Sequence, residues 1–550
     1  MGDNLLGDRL MKSMQQKTLG AILLTVIACA SCTDGPMERI TAAGILSDVE
    51  ALSADNMEGR AAGSPGAARA AAYIADRFEQ TGLEPFGDSY LLPVELVGMT
   101  KNVEKSSVSI TGPADELALE NDVNFTFWST AEKPVVDIAD APIVFVGYGV
   151  QAPEHDWDDL KDMDLRGKVL MFLNNDPHLE EDGEALFGGP ARTYYGRWTY
   201  KFEQAEKLGA VGAIVIHTME SASYQFSVIG NTGSRRVWQR TYKLDFLSWM
   251  DSNTTSLVAA SMGTTVPGLF EMANRRDFRP VDTGYSLAAH VETAIERVEG
   301  ANVVGVLRGN DADLADEHLV FTAHYDHLGM NSDLEGDDKI FNGAADNALG
   351  VAGMLASAEA AVAAAPRRSM IFVAATAEEG GLLGSSGFVA NPPVPLRQIV
   401  ANFNIDSPQV FGLTHDIGAI GLEMSSLGAL FAEVAAENGI KAVGDPNPNA
   451  GSFYRSDQVN FAKAGIPALY LQRGTDFVTP LSFDPDELRL RNYHQVTDEI
   501  LPEWDLAGVE RDIKIFVEAA LRAANADDQP TWVQGHEFEG EWKALYTLSR

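Results

Sequence analysis

Cysteine is nearly absent. Of 550 residues only Cys29 and Cys32 carry a thiol, and both lie at the end of an N-terminal apolar run. Beyond Cys32 the chain can form neither a disulfide nor a thiolate metal site, so any metal must be held by His, Asp and Glu. Positive charge is also scarce: 41 Lys and Arg stand against 79 Asp and Glu, a formal charge of −38. Nucleic-acid binding runs on Lys and Arg contacts to phosphate, so this composition argues against it and suits solubility instead. A Gly-rich stretch at 57–66 lacks the lysine of a phosphate-binding loop and reads as a structural connection.

A long apolar run is missing too. Residues 19–28 are apolar, follow Lys12 and Lys17 and end in small residues. That is the layout of an export signal, and the run is too short to span a membrane comfortably. The first ten residues suit no such signal, which points to translation starting at Met11 or Met14. Val26-Ile27-Ala28-Cys29 resembles a bacterial lipobox, which implies a lipidated Cys29 and a membrane-anchored, periplasmic or cell-envelope protein. Cys32 is a second candidate, and Ala28-Cys29-Ala30 also suits ordinary cleavage.

What is present is enough chain for two or three domains, with 45% apolar and 22% charged residues. Residues 1–32 form the export segment. Residues 38–124 open with helical spacing to about 85, followed by strands to about 119. At 125–285 the texture changes. Short apolar strands at 143–146, 169–173 and 213–216 are separated by long loops rich in aromatics, with a helix at 200–208. This stretch reads as an inserted smaller domain, in which His178 and His217 sit at loops or strand ends. From 286 to 525 an α/β pattern takes over, with strands at 303–307, 319–323, 370–375, 399–405 and 468–471. Helices at 349–364, 426–438 and 505–524 accompany them. Strands alternating with helices predict a mostly parallel central sheet flanked by helices. A tail at 526–550, with Trp532, Trp542 and Tyr546, is expected to pack back on the body.

In such a sheet, ligands bind outside the carboxyl ends of the strands. The strand at 319–323 runs into His324-Tyr325-Asp326-His327. A Gly-rich loop carries Asp346-Asn347 to the start of the next helix. The following strand ends at Glu378-Glu379, the one after it at Asp406, and Tyr493-His494 lies near the end of the pattern. Each has a structural explanation taken singly: Asp346 as a helix cap, the glutamates at a helix start, His494 as a surface residue. Together they fall on one edge of the predicted sheet. Oxygen and imidazole donors suit zinc, manganese or a related hydrolytic metal. Two adjacent glutamates on an extended chain point apart, so one can hold metal while the other faces a water.

The segments His324-Tyr325-Asp326, Gly343-Ala344-Ala345-Asp346-Asn347-Ala348-Leu349-Gly350, Ala377-Glu378-Glu379-Gly380, Asn404-Ile405-Asp406 and Tyr493-His494 resemble, in order, the M28 family of co-catalytic zinc exopeptidases. The insert resembles the protease-associated domain that many members carry. The resemblance implies two zinc ions bridged by Asp346, with His324 and Asp406 on one and Glu379 and His494 on the other. Asp326 would orient the His324 ring, and the Asp346-Asn347 peptide would be cis. Glu378 would be the general base and acid, and Tyr493, with Tyr454 as second choice, the donor to the oxyanion. His327 is expected in the pocket wall.

The sequence departs from the family at Gln458, where many relatives have His, and at Phe453, where some aminopeptidases have Tyr. The implied activity is that of an exported aminopeptidase acting on peptides. A glutamate-type carboxypeptidase would instead need cations for substrate carboxylates, and Arg197, Arg235, Arg236, Arg455 and Arg473 are available. A glutaminyl cyclase-like enzyme usually keeps one zinc. A binding protein on the same scaffold would have lost ligands or the base, which are all present.

Overall fold

In a computed structural model, the structure describes residues 35–547 apart from 114, 182–183, 190, 223–224, 231–235, 239–240, 333 and 409. The export segment with Cys29 and Cys32 lies outside the described residues.

Two helices open the fold, α1 (Ala42–Leu52) and α2 (Pro65–Thr81). Each is capped by a hydroxyl: Thr41 accepts from the Gly44 N–H and Ser64 from the Ala67 N–H. Strand β1 (Leu91–Lys101) follows. A second unit is then built from β2 (Phe125–Trp128), β3 (Val135–Phe145), β4 (Val169–Leu173), helix α3 (Trp198–Lys207), β5 (Gly212–Ile216) and β6 (Phe246–Met250). Strands β3, β4, β5 and β6 lie side by side in parallel, and β2 closes the edge antiparallel to β6.

The chain returns along β7 (Val281–Leu307), which belongs to both units. Its first half pairs with β3, its middle with β1, and Val303–Leu307 with the main sheet. The expected boundary at 285/286 therefore falls inside a strand, and Ser107–Thr111 also pairs into the inserted sheet. The sequence hid this because Glu292, Glu296, Arg297 and Glu299 interrupt the apolar pattern of β7, leaving only its last five residues conspicuous. Alternate burial along its first half shows a strand with one face covered.

The main sheet continues with β8 (His318–His324), helix α4 (Leu349–Ala364), β9 (Ser369–Ala375), β10 (Ile399–Ile405), β11 (Asp416–Ile420), helix α5 (Ser426–Glu437), helix α6 (Gln458–Lys463), β12 (Ala468–Gln472), helix α7 (Pro485–Asn492) and helix α8 (Ala507–Asn525). The order β12-β10-β8-β9 is parallel throughout; β11 adds an antiparallel strand that the sequence reading did not anticipate, and Lys441–Val443 pairs outside it as the edge. All three strands β8, β9 and β10 are buried on both faces. Their register aligns His318 with Ser369 and His324 with Ala375, so their carboxyl ends come out level. Helix α4 packs in the core on nearly every face; it is apolar enough to cross a membrane by composition, but it is buried inside the protein.

A buried cation ties the N-terminal region to the ends of these strands. Arg60, wholly buried, lies in the loop read from sequence as a mere connection. Its guanidinium donates to the carbonyls of Leu52 and Asn342 at 2.6 Å, Tyr325 at 2.7 Å and Gly343 at 2.8 Å. Burial pushes its pKa down to about 10, with Asp498, Asp326, Asp346 and Glu379 opposing, so it stays charged at neutral pH. Arg60→Met would leave four carbonyls unmet in the core. We expect it to destabilise the protein by about 3–5 kcal/mol, read as a lowered denaturation midpoint.

Candidate active site

Each candidate side chain sits at a chain reversal at the carboxyl edge of the sheet. His324 ends β8. Glu378 and Glu379 follow β9 after Ala377 turns the chain with φ 53°. Asp406 follows β10, and His494 follows α7 with φ 58°. Asp346 comes from the loop before α4, where its peptide bond to Asn347 is cis. That loop is held from two sides. Asp498 accepts from the Ala345 and Asp346 N–H groups, both at 3.0 Å. Asn347 donates to the Ile405 carbonyl at 3.1 Å and accepts from the Gly350 and Ser407 N–H groups. Gly343 starts the turn with φ +58°, and a Cβ there would stand 2.3 Å from the Asp346 carbonyl, so only glycine fits.

The structure brings together all five expected ligands. His324 Nε2 lies 3.3 Å from Asp346 Oδ1 and 3.5 Å from Asp406 Oδ1. His494 Nε2 lies 3.3 Å from the other oxygen, Asp346 Oδ2, and 3.1 Å from Glu379 Oε2. Two ligand atoms bonded to one tetrahedral zinc at about 2.0–2.1 Å stand about 3.3 Å apart. Both donor sets have that spacing, and Asp346 belongs to each through a different oxygen. The residues fit a divalent hydrolytic metal.

Other expected positions differ. The Asp326 carboxylate is 3.9 Å from His324 Nδ1, beyond hydrogen-bond range. Its Oδ1 instead accepts the Glu378 N–H at 3.0 Å, and the Asp326 main-chain carbonyl faces Nδ1 at 3.2 Å. Asp326 thus fixes the turn that carries the glutamates. His327 is more than wall: its Nδ1 is 2.8 Å from Glu379 Oε1, while its buried Nε2 has no partner among the described residues. Tyr454, the second choice for the oxyanion, has its hydroxyl committed to Glu537. Tyr493 stacks on the His494 ring with centroids 3.9 Å apart. Tyr493 is 41% exposed, but loss of water around its hydroxyl, then Asp346 and Glu379, drive its pKa up, so its hydroxyl keeps its proton.

The supporting groups were invisible in sequence. Ser456 donates to Asp406 Oδ2 at 2.7 Å and Ser407 to Oδ1 at 3.1 Å. Asn404 donates to Ser456 and to Gln458, and Gln458 in turn to the Phe453 carbonyl. Gln458 and Phe453, the two departures, are buried behind the site and do not line its cavity.

Charge is crowded here. Burial drives Glu378 well above the usual carboxyl range; His324 opposes this, and Glu379 and Asp406 add to it. Burial likewise raises Asp326 to about 7 and Asp457 to about 6. Burial alone would lower the histidines, but their carboxylate neighbours prevail. His324 is held well above its ordinary value, chiefly by Glu378 and Asp406, and His494 up at about 10, chiefly by Asp346 and Glu379. Without metal these rings hold protons at neutral pH, and a ligating nitrogen must lose its proton. Zn²⁺ added to the metal-free protein at pH 7 should therefore release protons into a weakly buffered solution. Its affinity should rise as pH rises from 6 to 8, as calorimetry would show.

Two cavities meet at the site. A wide one of about 830 Å³ is lined by Asp326, Glu378, Glu379, Tyr493 and His494, and extends to Trp128, Trp198, Tyr242 and Trp249 of the inserted unit. A small one, about 60 Å³, lies beside Asp346 and Tyr493 and is walled by Val410, Phe411, Leu488 and Trp504. The tail reaches the wide cavity's wall from behind. Glu537 bonds the Tyr454 hydroxyl and, at 2.9 Å, the Tyr194 N–H of the inserted unit. Of the five arginines, Arg197 and Arg455 line the wide cavity. Arg473 lines the small one and pairs with Asp486. Arg235 lies outside the described residues.

Residues 302–514 match the family model described as Peptidase family M28. No curated protein matches the sequence. Among solved structures, the chain is similar to an aminopeptidase from Aneurinibacillus sp. strain AM-1, with TM-score 0.49 and 17% identity over 90% of this chain and 96% of that one. It is similar to a zinc aminopeptidase from Bacillus subtilis, with TM-score 0.42 and 16% identity over 89% and 97%. A peptidase M28 precursor from Shewanella amazonensis gives TM-score 0.39 and 18% identity over 90% and 96%.

Proposed function

We propose that this chain, whose residues 302–514 match the model described as Peptidase family M28, is an exported aminopeptidase that removes N-terminal residues from peptides and binds two zinc ions. The observation that carries the reading is Asp346, whose two oxygens face His324 and His494 on opposite sides. His324 and Asp406 would hold one zinc, Glu379 and His494 the other, with Asp346 between them. Zinc bound there would supply Lewis acidity toward the scissile carbonyl and toward an attacking water.

The protein's own groups do the rest. Glu378 faces the same cavity, and burial raises its carboxyl well above the usual carboxyl range, which strengthens it as a base. It would accept the water's proton and deliver it to the leaving amine. The Tyr493 hydroxyl, which keeps its proton, would donate to the tetrahedral oxyanion. The small apolar cavity beside Asp346 admits one side chain of modest size, which suits cleavage at a chain end. Asp346, Asp498 and Glu499 line it against Arg473 and Arg489, and Arg473 is paired with Asp486, a balance that favours a free amine over a free carboxylate at that end. The wide cavity takes the remainder of the peptide. Export, with a lipidated Cys29 at the cell envelope, is supported by the N-terminal signal pattern.

Cleavage of one tripeptide, free at both ends, blocked at the amine or blocked at the carboxylate, tests the reading. Loss on blocking the amine is expected; dependence on the carboxylate would make it a carboxypeptidase. Glu378→Gln should keep its metal, by elemental analysis, and lose about 10²–10⁴-fold in turnover. Asp346→Ala should lose both ions together.

A further inference from the structure

The wide cavity has a basic wall that the reaction above does not use. Arg197, Arg455 and Lys463 all line it, in a chain whose acidic residues outnumber its basic ones 79 to 41. Lys463 is engaged, donating to Glu203 Oε1 and the Tyr194 hydroxyl, both at 2.7 Å, and Arg197 also has a partner within the fold. Arg455 differs. Its side chain is exposed to the cavity and makes no ion pair, side-chain hydrogen bond or ring contact among the described residues.

Its backbone, by contrast, is fixed. The Arg455 N–H donates to the Ser452 carbonyl at 3.1 Å. The residue before it, Tyr454, is buried and tied to Glu537; the residue after it, Ser456, is buried and bonded to Asp406. A free guanidinium is thus carried on a rigid turn one residue from a group that touches the candidate metal centre. Most surface arginines are merely solvated. This one is unpaired in an acid-rich chain and opens into the concave site that Glu378 shares. A guanidinium fork matches a carboxylate, bonding both oxygens at once.

We propose that Arg455 binds a carboxylate of the peptide on the leaving side of the scissile bond. That carboxylate is either the C-terminus of a di- or tripeptide or an Asp or Glu side chain brought to the same place. The inference rests on the aminopeptidase reading, in which the small cavity takes the first side chain and the wide cavity the rest. It makes the enzyme a peptidase of short or acidic peptides.

The test is steady-state kinetics of the zinc-loaded full chain on matched pairs: Leu-Gly-Gly against its C-terminal amide, and Leu-Glu amide against Leu-Gln amide. In the unaltered enzyme the KM of at least one carboxylate form should be about tenfold below that of its neutral partner. The pair that shows the difference identifies the source of the carboxylate. In Arg455→Ala the ratio should fall to near one, and Arg455→Lys should restore part of it. Equal KM within both pairs in the unaltered enzyme, or a ratio that survives Arg455→Ala, overturns the proposal. If no peptide is cleaved, the aminopeptidase reading fails. Calorimetric binding of the same peptides to the Glu378→Gln protein then decides the carboxylate site by itself. A carboxylate preference lost in the double variant with Arg455→Ala supports it, and no preference overturns it.

Discussion

The buried carboxylate of Asp346 is the point on which the structure turns. Its oxygens face two histidines from chain segments some 170 residues apart in sequence, and a separate acid joins each pair. So many carboxylates in one low-dielectric pocket repel one another strongly unless protons or cations stand among them. Arg60 supplies one permanent charge from behind, through carbonyls rather than through the acids themselves. Two dications between the donor sets would supply the rest, and would replace the protons that the histidines otherwise hold.

The fold exists to hold this crowd in place. Level parallel strands bring His324, the two glutamates and Asp406 to one edge. Asn347 and Asp498 then fix the one loop that enters between them. The inserted unit is not a loosely tethered module, because β7 runs unbroken through both sheets. At the other side of the cavity, Glu537 joins the tail, the insert and the wall residue Tyr454 at a single buried acid, which burial raises to about 8. The wall opposite the carboxylates is thereby built by three parts of the chain.

Much of this was legible in the sequence. The parallel strands were mostly apolar, so their limits differ from expectation by only a residue or two, and the polar residues at and just past their ends are the ones gathered at the candidate site. The Glu378-Glu379 pair and the Asp346 loop stood out because charged residues rarely follow such strands without a purpose. What escaped notice acts over distance. Arg60 looked like one more residue in a glycine-rich loop, since its four carbonyl partners are up to 283 positions away. Ser456 gave no signal, because a serine carries none until its neighbour Asp406 is in place. The long strand β7 was broken up by charges on both of its faces, and for that reason the expected boundary at 285/286 falls inside it. His327 was seen but underrated, because its grip on Glu379 depends on how two strand ends fold toward each other.

In the proposed site Asp346 bridges two metal ions. Anomalous X-ray diffraction at the zinc edge, from crystals of the zinc-loaded protein, tests this bridge. Two peaks are expected, one beside His324 and Asp406 and one beside Glu379 and His494, each in contact with a different oxygen of Asp346. A single peak, or two peaks with Asp346 bound to neither or only one, would contradict it.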